Sequence, residues 1–210
     1  MSESTDSTTG KKYAKSTLTR SRILNAALDM MKTEGYQGTT IRGICQRAGV
    51  SPAAFYCYFN SKSDLLEDVY QDSDGYFGRE LPLILVQKDF LGQLEIYVKA
   101  YAQLNIATGL DLMRVLFNPE NVWFSKDRPM QKTLLGIMKT GRREGFFDPE
   151  TDCSRLVRDL FVILRGVCYD WCIREASYEL EEEMLHMTGY FLNGICVCPE
   201  KKREISELFF

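Results

Sequence analysis

The feature that most constrains the fold is a sharp turn between two brief amphipathic segments. Residues 41–48 carry one apolar face, Gly49 follows, and Ser51-Pro52 opens the next segment at once. Glycine permits the left-handed backbone of a tight turn, and Ser before Pro is a strong helix start. Helices this short are marginal in isolation, so the two must brace one another. The pattern predicts a helix-turn-helix with Thr40 and Ser51 as N-caps.

Helical spacing of apolar residues continues through most of the chain, and no segment alternates as a strand would. We therefore predict an all-α fold. The first helix should begin near Ser16–Thr17 and stop at Gly35, and Pro82 should mark a break. Longer helices are expected near residues 88–107, 109–117, 129–144, 151–175 and 178–197.

Charge is distributed unevenly along the chain. From Lys11 to Lys62 there are nine basic and two acidic side chains, so this stretch carries +7 in a chain whose total is −3. Such asymmetry suggests that one end meets a polyanion. A solvated basic face would give the same count, and the charge alone does not separate the two interpretations.

Several classes of protein are not expected from the composition. The seven cysteines form no Cys-x-x-Cys pair, and there is neither a signal segment nor a membrane-spanning run, so reduced thiols and a cytoplasmic location are predicted. The only histidine, His186, lies between Leu185 and Met187 and is expected on a helix face rather than on a metal. Without a phosphate loop or a nucleophile motif, we expect no enzyme and no cofactor.

The third helix should present a surface suited to DNA. Helix N-termini at Thr40 and Ser51 favour phosphates, and the small Ala53 lets the helix approach a major groove closely. The alternative is that the aromatic run from Phe55 to Phe59 is only a packed cluster. Its tyrosines cannot all share one face with the phenylalanines, so at least one should be exposed.

Three segments together resemble the signature of TetR-type repressors. They are the run from Gly35 to Ile44, the turn Ala48-Gly49-Val50-Ser51, and the run from Phe55 to Leu66. The resemblance covers residues 17–66, about a quarter of the chain. It implies an N-terminal helix-turn-helix joined to a helical domain that dimerises and binds a small effector.

The resemblance also implies a homodimer on a palindromic double-stranded operator, with half-sites about one helical turn apart or slightly more. By position, Thr40, Tyr56, Tyr58 and Lys62 match phosphate contacts, and residues 52–54 match base readers. This chain lacks the Lys, Arg or Gly that many members have there, so Arg42 or DNA shape would supply specificity. The expected DNA-binding residues are Thr40, Arg42, Ser51, Pro52, Ala53, Ala54, Tyr56, Tyr58 and Lys62.

We predict four regions from these observations. They are a flexible basic tail at 1–15, a helix-turn-helix DNA-binding domain at 16–61, a helical ligand-binding and dimerisation domain at 62–198, and a C-terminal tail at 199–210.

The second domain is rich in large apolar side chains, which are typical both of an ordinary core and of a small-molecule pocket. The expected ligand-binding residues are Tyr70, Phe77, Tyr97, Tyr101, Asn105, Met113, Leu116, Phe117, Trp123, Phe124, Met138, Phe161 and Leu164. The last two long helices have wide apolar faces that a four-helix bundle across a two-fold axis would bury. The expected dimer residues are Leu160, Ile163, Val167, Trp171, Met184, Met187, Phe191 and Ile195.

The function predicted by the sequence is a repressor that a small apolar or aromatic effector releases from DNA through a shift in population. One alternative is a DNA-binding regulator without a small-molecule effector. Another is a thiol-based redox switch that uses Cys57, or Cys168 and Cys172, although buried inert cysteines explain these residues more simply.

Overall fold

The computed structural model describes the backbone of residues 6–117 and 128–210 and, within these, the side chains of residues 16–66, 73–117 and 128–210. The chain divides into two compact units, residues 1–70 and 71–210. Every regular element in the described ranges is helical, so the predicted all-α fold is confirmed. No described helix is long and apolar enough to cross a membrane.

The first unit contains three helices and the start of a fourth, within the described residues: α1 (Asp6–Gly38), α2 (Ile41–Ala48), α3 (Pro52–Tyr56) and α4 (Asp64–Gly75). The second unit continues with a π-helical segment (Tyr76–Glu80), α5 (Leu81–Leu85), α6 (Phe90–Thr108), α7 (Leu110–Leu116), α8 (Pro129–Arg143), α9 (Cys153–Ile173), α10 (Leu180–Ile195) and α11 (Pro199–Phe209).

Helix α1 begins earlier than the sequence predicts. Residues 6–15, expected to be a tail, form its first turns. Lys11, Lys12, Ala14 and Lys15 are strong helix formers, and extending an existing helix needs no new nucleus. Residues 6–10 are weak helix formers, so propensity explains only the second half of this extension. The predicted stop at Gly35 is found as a kink, where the backbone leaves the helical region at φ 72° and ψ 166°.

Close packing of α1 on α2 builds the core of the first unit. Ile23, Ala27 and Met31 are buried on α1, as the periodicity predicts. Gly43 of α2 lies so near Met30 that an added Cβ would be 2.7 Å from its Cε atom. A Cβ at position 43 would therefore require the flexible end of the Met30 side chain to move.

Pro82 does not break the chain into separate helices, contrary to our expectation. The backbone stays helical from α4 through α5, and a π-helical turn precedes the proline, with the Leu81 N–H donating to the Tyr76 carbonyl. The wider turn accommodates a ring that would clash with the preceding turn of an ordinary helix. Gly78 in this turn allows a close approach, since a Cβ there would be 2.8 Å from the Cβ of Pro129.

Helix α6 is central to the second unit and packs against α8 and α10, while α9 packs against the same two helices. Phe90 at its start contacts Phe146 and Phe147, with ring centroids 4.8 and 5.3 Å away. Gly141 of α8 makes room for this cluster, because an added Cβ would lie 2.8 Å from the Phe90 ring. These contacts hold the end of α8 and the residues after it against the start of α6.

The C-terminal residues form a helix rather than the predicted tail. Ile205 and Phe209 of α11 lie four residues apart and are both buried, and Pro199 occupies the first turn. Gly189 of α10 explains the fit, since a Cβ at that position would be 2.8 Å from the Cβ of Phe209. This segment is so rich in charged residues that its short apolar stripe, which packs against α10, was not recognised from the sequence.

Candidate functional site

The turn between α2 and α3 has the geometry that the sequence predicts. Gly49 adopts the left-handed conformation at φ 63° and ψ 41°, and its N–H donates to the carbonyls of Cys45 and Gln46. The Val50 N–H donates to Cys45 at 3.0 Å. Arg22 of α1 donates from its guanidinium to the Ala48 carbonyl, which ties the end of α2 to α1. Sequence patterns gave no signal for this long-range bond.

Two hydroxyls cap the helices on either side of the turn. The Oγ1 atom of Thr40 accepts from the Gly43 N–H, and the Oγ atom of Ser51 accepts from the Ala54 N–H, both at 3.1 Å. Each cap satisfies one of the N–H groups that a helix start leaves open. A hydroxyl that accepts in this way keeps its own hydrogen to donate, so both residues can still contact an anion.

The outward face of α3 is small and carries one prominent phenol. Pro52 and Ala53 are exposed, and Tyr56 is 56% exposed. Phe55 is fully buried and packs on Phe59 with ring centroids 5.6 Å apart. The aromatic run is thus divided between a core face and an exposed face, and the prediction of an exposed tyrosine is confirmed.

The remaining predicted DNA contacts differ in exposure. Arg42 on α2 is exposed, whereas Ala54 and Tyr58 are half-buried. Together with the outward face of α3 and the two caps, they form a surface that we call the α2–α3 surface: Thr40, Arg42, Ser51, Pro52, Ala53, Ala54, Tyr56 and Tyr58.

Lys62 has an internal role that the sequence did not suggest. Its ammonium donates to the carbonyls of Tyr36 and Thr39, the second at 2.9 Å, and lies 4.0 Å from the centroid of the Tyr36 ring. Burial lowers the pKa of this ammonium. Lysine carries three N–H donors, so two internal bonds leave one for a further acceptor.

Several residues expected to bind an effector are used inside the second unit. The Tyr97 hydroxyl donates to the Met130 carbonyl at 3.0 Å, and burial raises the pKa of this phenol well above its usual value. The Asn105 amide donates to the Tyr101 carbonyl at 2.6 Å, and the Tyr101 ring packs edge-on against Phe161. The Tyr97 hydroxyl and the Asn105 amide therefore already have hydrogen-bond partners within the second unit.

Most of the other predicted ligand residues that the structure describes lie in the core. Met113, Leu116, Met138 and Leu164 are buried in the core, and Phe117 is half-buried. Trp123 and Phe124 lie outside the described residues, as does the side chain of Tyr70.

Two grooves each include one residue of the predicted ligand set. Phe77 lines a groove of about 540 Å³ together with Tyr76, Ile96 and Leu104. Phe161 lines a second groove, of about 400 Å³, between α8 and α9. We call this second one the α8–α9 groove.

Four of the eight predicted dimer residues are buried within the chain itself. Leu160, Val167, Trp171 and Met184 are buried, because α9 and α10 turn their most apolar faces toward each other and their neighbours. Trp171 also donates to the Tyr178 carbonyl at 3.2 Å. The half-buried members are Ile163, Met187, Phe191 and Ile195.

A different apolar stripe of α9 faces outward. Val162, Tyr169 and Ile173 are 62, 56 and 61% exposed, and the space that a Cβ on Gly166 would enter is open. The spacing of these residues places them on one helix face. On the α10 side, Tyr190 and Val197 are also exposed. The helical spacing of the α9 residues is present in the sequence, but the prediction of the dimer interface was based on the larger apolar residues next to them.

The cysteines divide into buried and accessible thiols. Burial raises the pKa of both Cys168 and Cys172, which makes their reactive thiolate forms scarce. Cys57 is exposed, and its thiol donates to the Ala53 carbonyl at 3.3 Å. Within the described ranges, no three His, Cys, Asp or Glu side chains are grouped to hold a metal ion.

Comparison with known proteins finds similar bacterial transcriptional regulators. The family model of the bacterial regulatory proteins of the tetR family matches residues 23–69. The repressor KstR2 of Mycolicibacterium smegmatis is 27% identical over 153 residues, which cover 67% of this chain and 74% of KstR2. The regulator UidR of Escherichia coli is 25% identical over 171 residues, or 76% and 87% of the two chains.

Among solved structures, the TetR-family repressor FadR of Thermus thermophilus in complex with lauroyl-CoA has a similar fold. The TM-score is 0.69 at 24% sequence identity, and the match covers 85% of this chain and 96% of FadR. The likeness therefore extends well beyond the turn between α2 and α3 and into the second unit.

Proposed function

The chain belongs to the TetR family of bacterial helix-turn-helix regulators, and from this membership we propose that it is a homodimeric repressor that a small effector releases from a palindromic operator. Proteins of this family regulate transcription, so the chain is a DNA-binding regulator and not an enzyme. The proposal assigns DNA binding to residues 16–61 and effector binding and dimerisation to residues 62–198.

The exposed α2–α3 surface is the observation that carries the DNA-binding part. The hydroxyls of Thr40 and Ser51 stand at two helix N-termini, where N–H groups and the helix dipole favour phosphate. Tyr56 and Tyr58 add phenolic donors to the same contacts, and the third donor of Lys62 adds a positive charge. These groups position the protein on the backbone of the duplex.

Base recognition is assigned to the N-terminal part of α3 and to Arg42. Pro52, Ala53 and Ala54 bring no hydrogen-bonding side chain, and alanine methyl groups suit contact with thymine methyl groups. Arg42, which is exposed on α2, can donate to a guanine or to a phosphate. Sequence-dependent DNA shape supplies the remaining specificity in this proposal.

Dimerisation is assigned to the outward stripe of α9 and to exposed residues in α10 and just after it. Val162, Tyr169, Ile173, Tyr190 and Val197 leave apolar surface in water that a second copy would cover. A two-fold arrangement of α9 and α10 from each chain forms a four-helix bundle. The half-buried residues that the sequence predicts for the dimer interface, such as Met187 and Phe191, can then lie at the edge of this contact.

The effector is proposed to have an apolar part. The lauroyl-CoA bound by the similar FadR of Thermus thermophilus combines a hydrocarbon chain with a charged head. Effector and operator would favour different spacings of the two α3 helices in the dimer. Such coupling amounts to about 1–3 kcal/mol, which is about a 5- to 150-fold change in operator affinity.

Selection of genomic DNA fragments by the purified protein tests the function as a whole. We expect a shared palindrome, with half-sites about one helical turn apart or slightly more, near one or a few promoters. Salt-sensitive binding without a shared motif would contradict a specific repressor, and no binding would contradict DNA recognition altogether. Loss of operator binding on mild oxidation in the wild type, but not in Cys57→Ser, would favour the redox alternative.

A further inference from the structure

The α8–α9 groove has an apolar floor. Leu135 of α8 and Val157 and Phe161 of α9 line it, and the two α9 residues are themselves nearly buried. Its volume of about 400 Å³ lies within the range of small-molecule sites. A surface of this kind can cover a hydrocarbon segment and remove it from water.

Four cationic side chains surround this floor. Lys132 extends from α8, and Arg155, Arg158 and Arg165 extend from α9. The acid among the lining residues is Asp152, whose carboxylate already caps α9 by accepting from its first N–H groups at 2.9 and 3.3 Å. The rim of the groove is therefore strongly positive.

The carboxylate of Asp159 neutralises this rim only in part. Oxygens of Asp159 lie 3.5 Å from the Nε atom of Arg155 and 3.6 Å from that of Arg158. Exposed ion pairs at such distances contribute little to stability. One carboxylate shared by two guanidinium groups is easily displaced by a ligand anion that accepts bidentate hydrogen bonds.

Arg165 links the rim to the floor. Its Nε atom donates to the Phe161 carbonyl at 2.9 Å, and its guanidinium carbon lies 5.7 Å from the centroid of the Phe161 ring. Residues 158, 161 and 165 share one face of α9 because they are three and four positions apart. A positive group is thus held at the edge of the apolar surface.

We propose that the α8–α9 groove binds an amphipathic anion, with its head group on Arg155, Arg158 and Arg165 and its hydrocarbon part on the apolar floor. The inference rests on the proposed function, since it assigns a site and a chemical class to the effector. A phosphate-bearing thioester and a fatty carboxylate share this chemistry, and the experiment separates them.

Calorimetric titration of the full-length protein with lauroyl-CoA, acetyl-CoA, coenzyme A and laurate tests the groove. We expect lauroyl-CoA or laurate to bind the wild type, and the one that binds identifies the head group. The double variant R155Q/R158Q should weaken that binding about tenfold or more, because charge-assisted hydrogen bonds are lost. If the thioester binds, lauroyl-CoA should bind more tightly than acetyl-CoA. The double variant R155Q/R158Q should weaken the binding of both thioesters by the same factor.

Arg203→Gln is the matched control, since Arg203 is an exposed arginine of α11 that does not line the groove. It should leave every affinity unchanged. Lys132→Gln tests the α8 side of the rim and should also weaken binding. The thermal midpoint of each variant checks that it is folded. The proposal is overturned if neither lauroyl-CoA nor laurate binds the wild type, or if R155Q/R158Q binds either with wild-type affinity.

Operator binding, measured in parallel by fluorescence anisotropy, distinguishes failure of this inference from failure of the proposed function. If the wild-type protein binds its operator but neither amphipathic probe, the ligand proposed for the groove is wrong and the proposed repressor function stands. If the wild-type protein binds no DNA, the proposed repressor function is wrong, whatever the groove binds. A loss of operator affinity in R155Q/R158Q, without any ligand binding, would assign the basic rim to DNA and overturn the inference.

Discussion

The ammonium group of Lys62 donates a 2.9 Å hydrogen bond to the carbonyl oxygen of Thr39, the residue that precedes the N-cap of α2. A second bond reaches the carbonyl of Tyr36 near the end of α1. One side chain thereby joins the end of the first helix to the start of the second, beside the α2–α3 surface. The internal hydrogen bonds of Lys62 and its proposed contact with DNA depend on the same positive charge.

We predict that Lys62→Met lowers the free energy of unfolding by about 1–3 kcal/mol, because two carbonyl oxygens lose a charged donor. Binding to all DNA sequences should weaken, and the slope of log affinity against log salt should fall by about one. Denaturant unfolding and fluorescence anisotropy measure the two effects. Lys32→Met, at an exposed position of α1, is the control for loss of a basic residue. Unchanged stability in Lys62→Met would contradict the structural role.

Tyr56→Phe should weaken operator binding by about 1.5–3 kcal/mol, the usual value for a hydrogen bond to a charged group. The thermal midpoint should not change, because the phenol is largely exposed. Tyr76→Phe makes the same change at a half-buried position of the second unit, outside both the α2–α3 surface and the α9 stripe, and should leave operator affinity as it is. Equal operator affinities in wild type and Tyr56→Phe would remove Tyr56 from the contact surface.

Gly49→Ala should destabilise the protein by about 1–2 kcal/mol, because a residue with a Cβ is strained at positive φ. The added methyl group would also lie 3.0 Å from the Arg22 guanidinium that binds Ala48. In contrast, Gly136→Ala on α8 enters open space and should stabilise its helix by about 0.5–1 kcal/mol. Thermal unfolding of both variants gives the comparison. The strain argument fails if the two changes have the same sign.

Asp64 makes the start of α4 sensitive to pH. The Ser61 hydroxyl, and then the backbone and side-chain amides of Asn60, hydrogen-bond to this carboxylate and lower its pKa. Because the pKa in the folded state is below that in the unfolded state, the stabilisation is complete above the ordinary aspartate value of about 4 and is lost as pH falls through the lower folded value.

Asp64→Asn should therefore cost about 1 kcal/mol near neutral pH, because the donors of Asn60 and Ser61 lose a charged acceptor. The difference from wild type should shrink in strong acid, where both side chains are neutral. Urea unfolding at neutral and acidic pH measures the difference. A difference that stays constant over that range would mean that the charge of Asp64 is not the source of the stabilisation.

Tyr169→Glu should convert the proposed dimer to monomers, because a carboxylate would be buried without a partner at the centre of the α9 stripe. Sedimentation velocity of the purified chain measures the change, and cooperative binding to a palindrome should be lost with it. Leu83→Glu introduces the same charge at an exposed apolar residue of α5 and should leave the oligomeric state unchanged. A dimer that survives Tyr169→Glu would place the interface elsewhere.

Local signals were sufficient to predict the turn between α2 and α3. Thr40, Gly49 and Ser51-Pro52 each specify the backbone within a few residues of themselves, and the structure has the caps and the left-handed turn at those positions. Such features depend on short-range hydrogen bonds, which a single sequence records directly.

Features that depend on distant residues were missed or misassigned. Lys62 bonds to carbonyls 23 and 26 residues away, and no spacing rule indicates such a contact. For α9 the sequence showed that the helix is apolar, but the packing of α8 and α10 decides which face remains outside. The arginines at 155, 158 and 165 were visible as a helical pattern, yet they border a groove only because α8 supplies the opposite wall.

The division of α3 into a buried and an exposed face bears on how operator preference can change over generations. Phe55 is buried, whereas Ala53 and Tyr56 on the same short helix face outward. Surface substitutions away from special backbone features usually change stability by less than about 0.5 kcal/mol. In the proposed function, mutations at an outward base-reading position such as Ala53 therefore alter the preferred DNA sequence with little loss of folded protein. Such a regulator can follow a drifting promoter, or acquire a new one after gene duplication, while its scaffold stays the same.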